Sequence, residues 1–297
     1  MKYRRDNNRK NIRGNRDNRS VIIMLNAAVI LVVVIIAMVV QLVRLNRRGM
    51  SGSDTPKSQV VVTESAAKEA VTEEEKQEDG DKTGSAREFE KIRTNLDPDR
   101  PMVALTFDDG PYDAVTDRIV KVLAENDSRA TFFVVGNRIE KYAKTLKNAY
   151  DHGNQIATHT FDHKNLSKMK KAGIQKELRR ASKVTKKVTG EKPGMLRPPY
   201  GSVSKVMRNT IDMPMIYWNV DTEDWSSRNK KKILKKCKNI QDGDIVLMHD
   251  LYKTTADAVK ELVPKLRKKG YQLVTVEELF YYKGIKAKGG KVYYNGK

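Results

Sequence analysis

Residues 93–297 alternate between short apolar runs and helical patterns, and this alternation constrains the fold more than any other feature of the sequence. Apolar runs of strand length lie at 102–107, 130–135, 155–158, 195–196, 215–220, 244–248 and 271–274. Helical spacing occurs between them at 117–124, 141–150, 174–188, 233–240 and 255–268. Alternating strands and helices are typical of an α/β parallel sheet, and seven strands favour a distorted (β/α)7-type barrel. A doubly wound open sheet is the alternative that the pattern alone does not exclude.

The preceding residues lack this alternation and divide into three parts. Residues 1–20 are basic and have no apolar period, whereas residues 21–43 form an apolar run interrupted only by Asn26 and Gln41. As a helix the run would be about 34 Å long at about 1.5 Å per residue, which is enough to cross a bilayer. Residues 44–92 are polar and charged, which is typical of a flexible linker. The sequence therefore predicts one transmembrane helix, a linker and a folded domain over 93–297.

The basic residues around the apolar run set its expected orientation. Eight Lys or Arg residues precede the run, and Arg44, Arg47 and Arg48 follow it. Because cytoplasmic flanks carry the excess of basic residues, we expect a cytoplasmic N-terminus and a folded domain outside the cell membrane. A cleaved signal peptide would have a shorter apolar core and a small-residue cleavage site. A buried core helix would instead be amphipathic.

The formal charge of the chain is +21 and is unevenly spread. Residues 1–48 contribute +9 and residues 49–88 contribute −5, so the remainder carries +17. A basic folded domain fits an anionic environment such as a cell wall, or equally a generic basic surface that keeps the protein soluble. No zinc-finger, Walker or RNP-like signature accompanies the charge, so nucleic acid is not an expected partner.

Two adjacent acids, Asp108 and Asp109, follow the apolar run 102–107 and precede Gly110-Pro111. This order predicts a buried strand that ends in a sharp turn, with both carboxylates at its carboxyl end. Neighbouring carboxylates repel each other unless a positive group lies beside them, and a divalent cation is the usual one. One acid would then bind the metal while the other takes a proton. The alternative is an Asp-Gly turn followed by a helix cap.

Two of the chain's four histidines, His159 and His163, lie four residues apart directly after the apolar run 155–158. At this spacing two imidazoles can bind one cation from a helical turn or from a tight loop. With Asp109 they would form a set of two histidines and one carboxylate that leaves positions open for water and substrate. The HExxH protease motif is absent. Two unrelated surface histidines are the alternative.

Three further polar segments follow predicted strands. Arg197 opens an Arg-Pro-Pro-Tyr-Gly segment, which either aims the arginine at a carboxylate or is a structural loop. The segment 221–225 ends in Trp225, which either stacks on sugar or is packed with solvated acids beside it. His249 directly follows the run 244–248. A histidine there is often hydrogen-bonded in a core, but its place beside the other polar segments favours a catalytic role.

In order, these motifs are Thr-Phe-Asp-Asp-Gly-Pro, His-Thr-Phe-Asp-His, Arg-Pro-Pro-Tyr, Asp-Thr-Glu-Asp-Trp and Leu-Met-His. The set resembles the polysaccharide deacetylases of carbohydrate esterase family 4, which contain the NodB homology domain. The resemblance extends over about residues 101–280. It implies a distorted (β/α) barrel and a metal-dependent deacetylase that acts on sugar polymers.

The resemblance also implies roles for the residues around the acid pair. Asp109, His159 and His163 correspond to the metal ligands. Asp108 corresponds to the catalytic base, and Arg197 to the residue that steadies it.

A second group of residues is assigned through the same resemblance. His249 corresponds to the general acid, and Asp224 to the residue that tunes it. Tyr200 would stabilise an oxyanion through its backbone N–H. Trp225 and Leu247 would shape the pocket for the acetyl group.

Together these features predict a membrane-anchored hydrolase that removes N-acetyl groups from N-acetylglucosamine residues of cell-wall peptidoglycan. The intact acid pair resembles the enzymes that act on N-acetylglucosamine more than those that act on N-acetylmuramic acid. Chitin-type deacetylation, xylan O-deacetylation and a catalytically inactive wall-glycan-binding protein are the alternatives. Two imidazoles and a carboxylate suit Zn²⁺, with Co²⁺ or another transition ion as alternatives. The sequence leaves the oligomeric state open.

Overall fold

The computed structural model describes residues 92–297, which are arranged around β1 (Met102–Asp108). The other strands of this region are β2 (Thr131–Val134), β3 (Gln155–Thr158), β4 (Met215–Ile216), β5 (Val220–Asp221), β6 (Asp244–His249), β7 (Gln272–Leu273) and β8 (Val292–Tyr293). The α-helices are α1 (Asp113–Glu125), α2 (Gly136–Ile139), α3 (Ala143–Asp151), α4 (Lys171–Thr189), α5 (Lys205–Thr210), α6 (Asp224–Ser227), α7 (Lys230–Lys236), α8 (Lys253–Lys268) and α9 (Val276–Tyr282). Short 3₁₀ turns lie at Leu166–Lys168, Pro199–Gly201 and Cys237–Asn239.

The predicted N-terminal segments fall largely outside this region. The basic segment 1–20, the transmembrane helix at 21–43 and all but the last residue of the linker 44–92 precede the residues that the structure describes. Within 92–297, no helix combines the length and the apolar character needed to cross a membrane.

Three parallel partners surround β1. Along one edge it pairs with β6, in a register that runs from Val103 opposite Asp244 to Asp108 opposite His249. It also pairs with β7 at its first two residues and with β2 at its last three. This central position explains why all seven residues of β1 are buried. An apolar run without a polar face is what a strand covered on both sides requires.

The two faces of β1 contribute to two different core clusters. Val103, Leu105 and Phe107 lie in a cluster that includes residues of α1 and α8. Met102 and Ala104 lie in a second cluster, with residues of β6 and α9. Because side chains alternate along a strand, Asp108 shares the face of Met102 and Ala104 and points away from the α1 and α8 side. The strand therefore delivers its last carboxylate to the inner face of the sheet.

The predicted parallel α/β sheet is confirmed, whereas closure into a barrel is not observed. The continuous ladder has the order β3-β2-β1-β6-β5, with β7 added to β1. Beyond β3, single parallel bridges join Thr158 to Leu196 and Leu196 to Met215. Within residues 92–297 no ladder joins β4 to β5. The parallel pairing therefore does not close between β4 and β5.

The gap between β4 and β5 falls inside the run 215–220, which the sequence predicted as one strand. The structure has β4 and β5 there, separated by residues 217–219. The Tyr217 carbonyl accepts a hydrogen bond from Arg197 Nη2 at 2.9 Å, and the Asn219 side chain binds Asp244 at 2.7 Å. Arg197 thus occupies a backbone carbonyl between β4 and β5, and Asn219 Oδ1 accepts a hydrogen bond from the backbone N–H of Ile245 in β6 at 2.9 Å.

The predicted helices are found with altered ends. α1 begins four residues before the predicted start at 117, and its first turn already buries Val115 and Thr116. The helix predicted at 174–188 is α4, and it ends at Thr189. The next residue, Gly190, has a φ of 85°, the left-handed conformation that glycine tolerates best. The helix predicted at 233–240 divides into α7 and a 3₁₀ turn.

Candidate metal centre and active site

The acid pair lies where β1 ends, as predicted. Asp108 is the last residue of the strand and is 3 % exposed. Asp109 turns the chain, with a φ of 74° in the left-handed region that non-glycine residues seldom adopt. A Cβ at Gly110 would overlap the buried carboxylate of Asp250. Gly110 therefore allows this close approach, and the unusual backbone conformation belongs to Asp109.

The structure brings Asp109, His159 and His163 together. Asp109 Oδ1 lies 3.6 Å from His159 Nε2 and 3.2 Å from His163 Nε2. One ligand atom from each of the three residues lies within 4.8 Å of the others. Both histidines belong to the loop after β3, and His163 has a left-handed φ of 53°. A tight loop, rather than a helical turn, thus makes the two imidazoles converge.

The hydrogen bonding of His159 fixes which nitrogen is free. Its Nδ1 lies 2.7 Å from the carbonyl oxygen of Arg197. Because a carbonyl oxygen only accepts, Nδ1 carries the hydrogen and Nε2 presents its lone pair toward Asp109. Burial lowers the pKa of His159 to about 3, although the charge of Asp109 raises it. The imidazole is therefore neutral, the form that binds a metal.

The environment of the Asp109 carboxylate indicates whether this cluster suits a metal. Asp109 Oδ1 is buried and has no hydrogen-bond partner in the described structure. A buried carboxylate oxygen without a partner is costly unless a positive group lies beside it. Two imidazole nitrogens and one such oxygen form a donor set that divalent transition metals bind. The cluster therefore fits a divalent metal.

Asp108 is held by a buried arginine. Arg197 is 0 % exposed, and its Nη1 donates to Asp108 Oδ1 at 2.7 Å and to Thr106 Oγ1 at 2.8 Å. The remaining guanidinium nitrogens donate to the carbonyls of Ile216 and Tyr217. Burial raises the pKa of Asp108 above its ordinary value, whereas the charge of Arg197 lowers it. Asp108 Oδ2 lies 3.9 Å from His159 Nε2, so this second oxygen faces the metal cluster.

His249 lies directly across from Asp108 in the pairing of β1 with β6. Asp224, at the start of α6, is fully buried and accepts from His249 twice, at Nδ1 and at the backbone N–H, each at 2.8 Å. Burial lowers the pKa of His249, but the hydrogen bond of Asp224 and the charge of Asp108 outweigh this and raise it to about 9. The pairing of β1 with β6 thus places His249, whose pKa is raised, beside the carboxylate of Asp108.

The remaining predicted residues lie near these groups with different exposures. Tyr200 has a left-handed φ of 63°, and its ring centre lies 5.0 Å from that of His163. Trp225 is 52 % exposed and follows Asp224 directly. Leu247 is only 4 % exposed, so little of its side chain is available to a ligand. Tyr200 and Trp225 therefore offer accessible aromatic surface, whereas Leu247 is mainly a core residue.

Three buried polar residues that the sequence did not single out support the site. Glu177 on α4 accepts from the backbone N–H groups of Phe161 and Asp162 and so fixes the loop between the two histidines. Thr255 on α8 donates to Asp224 Oδ2 at 2.7 Å. Asp250 accepts from Thr116 on α1. Glu177 had a detectable signal, because it interrupts the apolar face of the predicted helix at 174–188, whereas the other two had none.

Comparison with known proteins identifies the domain. A family model described as polysaccharide deacetylase matches residues 95–213. This span includes the acid pair, both histidines and Arg197, and it ends before Asp224 and His249. A solved structure described as T48 deacetylase with substrate is 42% identical, with a TM-score of 0.64, and the match covers 67% of this chain and 99% of that one. The resemblance drawn from the sequence motifs is confirmed.

Two curated relatives share the same region. The peptidoglycan-N-acetylmuramic acid deacetylase PdaC of Bacillus subtilis is 40% identical over 185 residues, which are 62% of this chain and 40% of the relative. The peptidoglycan-N-acetylglucosamine deacetylase PgdA of Listeria monocytogenes is 38% identical over 209 residues, 70% of this chain and 43% of the relative. The chain thus spans about two-fifths of the length of these relatives.

A further solved structure is described as a complex with a metal ion. It is a family 4 acetyl xylan esterase from Clostridium thermocellum in complex with a cobalt ion. It is 29% identical with a TM-score of 0.62, and the match covers 65% of this chain and 98% of that one.

Proposed function

Because the chain belongs to the polysaccharide deacetylase family, we propose that it is a metal-dependent hydrolase that removes N-acetyl groups from N-acetylglucosamine residues of peptidoglycan. The observation that carries the proposal is the meeting of three groups at one end of the sheet. These are the Asp109, His159 and His163 cluster, the carboxylate of Asp108, and the His249–Asp224 pair. A binding protein would not need all three.

The metal would be held by Asp109, His159 and His163. When bound, a divalent metal supplies Lewis acidity, which lowers the pKa of water and polarises a carbonyl group. We propose Zn²⁺ as the ion, because two imidazoles and a carboxylate suit it, with Co²⁺ as an alternative supported by the cobalt-containing relative.

Asp108 would act as the base. Its Oδ1 is occupied by Arg197, so Oδ2, which faces the cluster, is the atom available to take a proton from the attacking water. Burial raises the pKa of Asp108, and a carboxylate with a raised pKa accepts a proton more readily. Arg197 would keep the carboxylate oriented toward the water.

His249 would act as the acid. Since Nδ1 is bound to Asp224, Nε2 is the nitrogen that would donate a proton to the leaving amine. The backbone N–H of Tyr200 would stabilise the oxyanion, and one such donor typically contributes about 3 kcal/mol. The exposed Trp225 would bound the acetyl group, with the buried Leu247 packed behind the pocket.

Replacing Asp224 with asparagine should move the alkaline limb of the kcat/KM profile to lower pH. The imidazolium of His249 is the active form, and it is lost as the pH rises through its pKa. With Asp224 in place this pKa is about 9, and without the carboxylate charge it should fall. Glu223→Gln is a matched control, because Glu223 is an exposed acid paired with Lys236. An alkaline limb that is unmoved in Asp224→Asn would contradict the assignment of His249.

N-acetylmuramic acid is the specific alternative to N-acetylglucosamine as the sugar that is deacetylated. The intact pair of Asp108 and Asp109 supports N-acetylglucosamine, whereas the 40% identity to PdaC supports N-acetylmuramic acid. Incubation of purified peptidoglycan with the protein, followed by digestion and mass spectrometry of the fragments, separates the two. We expect the acetyl group to be lost from glucosamine. Loss from muramic acid alone would assign the competing activity.

We also propose that residues 21–43 anchor the chain in the cell membrane, with the N-terminus in the cytoplasm and the deacetylase domain outside. Support comes from the length of the apolar run and from the excess of basic residues before it. Carbonate extraction of cell membranes tests this placement, and recovery of the chain in the soluble fraction would argue against it.

A further inference from the structure

A dense group of cations follows Trp225 in the sequence. Residues 228–238 contain seven Lys or Arg residues and no acid, and every one of the seven is exposed. They are Arg228, Lys230, Lys231, Lys232, Lys235, Lys236 and Lys238, and we call them the α7 basic surface.

Most of this charge is not neutralised within residues 92–297. Lys230 pairs with Glu261 at 2.9 Å, and Lys236 pairs with Glu223 at 2.7 Å. The other five cations have no acidic oxygen within 4.0 Å in that part of the chain. Like charges held this close on one surface repel one another, so an external polyanion would relieve a repulsion as well as gain attraction.

The α7 basic surface adjoins the His249 side of the site. Glu223, the partner of Lys236, directly precedes Asp224. The Arg228 guanidinium carbon lies 4.8 Å from the centre of the Tyr252 ring, and that ring lies 6.3 Å from the ring of His249. These steps are comparable with the screening length of about 8 Å at physiological salt. An extended polymer that reaches His249 is therefore also within reach of Arg228.

We propose that the α7 basic surface binds carboxylate groups carried by the glycan polymer that is being deacetylated. The inference rests on the proposed function and extends it from the reacting sugar to the neighbouring part of the same strand. A polymer that enters past the exposed Trp225 continues over α7, where its peptide carboxylates meet the unpaired lysines. The surface would hold the strand in place and favour carboxylate-bearing strands over neutral ones.

The test replaces Lys231, Lys232, Lys235 and Lys238 with glutamine in the full chain. A matched control replaces Lys171, Lys176, Lys183 and Lys186, which are exposed on α4 and have no acidic partner within 4.0 Å in the described region. The control removes the same charge from a helix that packs against α2, α3 and α5, whereas α7 packs against α6 and α8. Unchanged melting temperatures would show that both variants fold.

Three substrates separate the expected results. They are peptide-bearing glycan strands, the same strands with their carboxylates amidated, and a neutral N-acetylglucosamine oligomer. On peptide-bearing strands the α7 variant should lose about 10-fold in kcat/KM at low salt, mainly through KM, since each exposed charge pair contributes modestly. The loss should shrink at high salt and be absent on the two substrates that lack carboxylates. The α4 control should change by less than about 2-fold on all three.

A binding measurement keeps the inference separate from the enzymatic proposal. Affinity for peptide-bearing strands is measured on proteins that all carry Asp108→Asn. Binding can then be compared without any deacetylation of the strands. The inference is supported if the α7 variant binds peptide-bearing strands more weakly and if this difference in affinity disappears on amidated strands. This holds even if no acetate is released. Equal binding of native and amidated strands, or undiminished kcat/KM in the α7 variant, would overturn it. A phosphodiester polymer is tested as a second ligand. If the α7 variant bound this polymer more weakly than the wild type did but bound peptide-bearing strands equally well, the inference would also be overturned, in favour of a separate polyanion.

Discussion

Replacing Asp108 with asparagine should lower kcat by about 10²–10⁴-fold, the usual contribution of a positioned acid or base, while the metal content stays at the wild-type level. Asparagine has nearly the same size and retains an oxygen that can accept from Arg197 Nη1. It lacks the carboxylate that takes a proton. Asp108 is not one of the three clustered ligands, so the metal should be unaffected. Acetate release and elemental analysis of the same preparation measure both quantities.

Asp162→Asn is a suitable control for this change. Asp162 lies between the two histidines in sequence, but its carboxylate pairs with Lys164 and Arg180 at 2.9 and 2.8 Å. That variant should retain kcat within a few-fold, because both cations of these pairs are exposed and ion pairs near the surface contribute little. Normal turnover in Asp108→Asn would remove Asp108 from the role of base. Loss of metal in the same variant would instead assign it as a ligand.

Replacing His163 with alanine should lower metal affinity by more than about 100-fold, since even partners outside the ligand shell typically contribute 10–100-fold. His163 Nε2 lies 3.2 Å from Asp109 Oδ1, and its loss leaves only two of the three clustered donors. Activity should fall in parallel when the metal is limiting. Titration of the metal-free protein, followed by calorimetry or by a competing chelator, measures the affinity.

The matched control for the ligand is His152→Ala. His152 lies at the end of α3, where its Nδ1 bonds the Asn148 carbonyl at 2.8 Å, and it is exposed. Its removal should change neither metal affinity nor kcat. If His163→Ala retained a full equivalent of tightly bound metal, the proposed set of ligands would be wrong.

The sequence predicted the contents of the site better than its supports. Asp108 and His249 each follow an apolar run, and the carboxyl ends of parallel strands meet at one edge of a sheet, so their proximity could be expected. Their direct register could not, because it depends on how β6 aligns with β1. The support that Asp250 and Glu177 give likewise depends on tertiary contacts between distant segments.

The sequence predicted a barrel, whereas the described residues show no ladder between β4 and β5. The run 215–220 is apolar enough for a continuous strand. Within it, however, the carbonyls of Ile216 and Tyr217 accept hydrogen bonds from the Arg197 side chain. The same hydrogen bonds that fix Arg197 beside Asp108 thus coincide with the gap between β4 and β5. Hydropathy does not report such a bond, and counting apolar runs therefore overestimates closure.

Metal-dependent acetate release from purified peptidoglycan tests the central claim most directly. The protein is stripped of metal, Zn²⁺ is added back in steps, and bound metal and released acetate are measured on each sample. The account predicts no acetate from the metal-free protein, a rise in proportion to bound metal up to one ion per chain, and glucosamine fragments that have lost the acetyl group. Acetate release by the metal-free protein, or intact acetyl groups on every sugar at full metal occupancy, would contradict it.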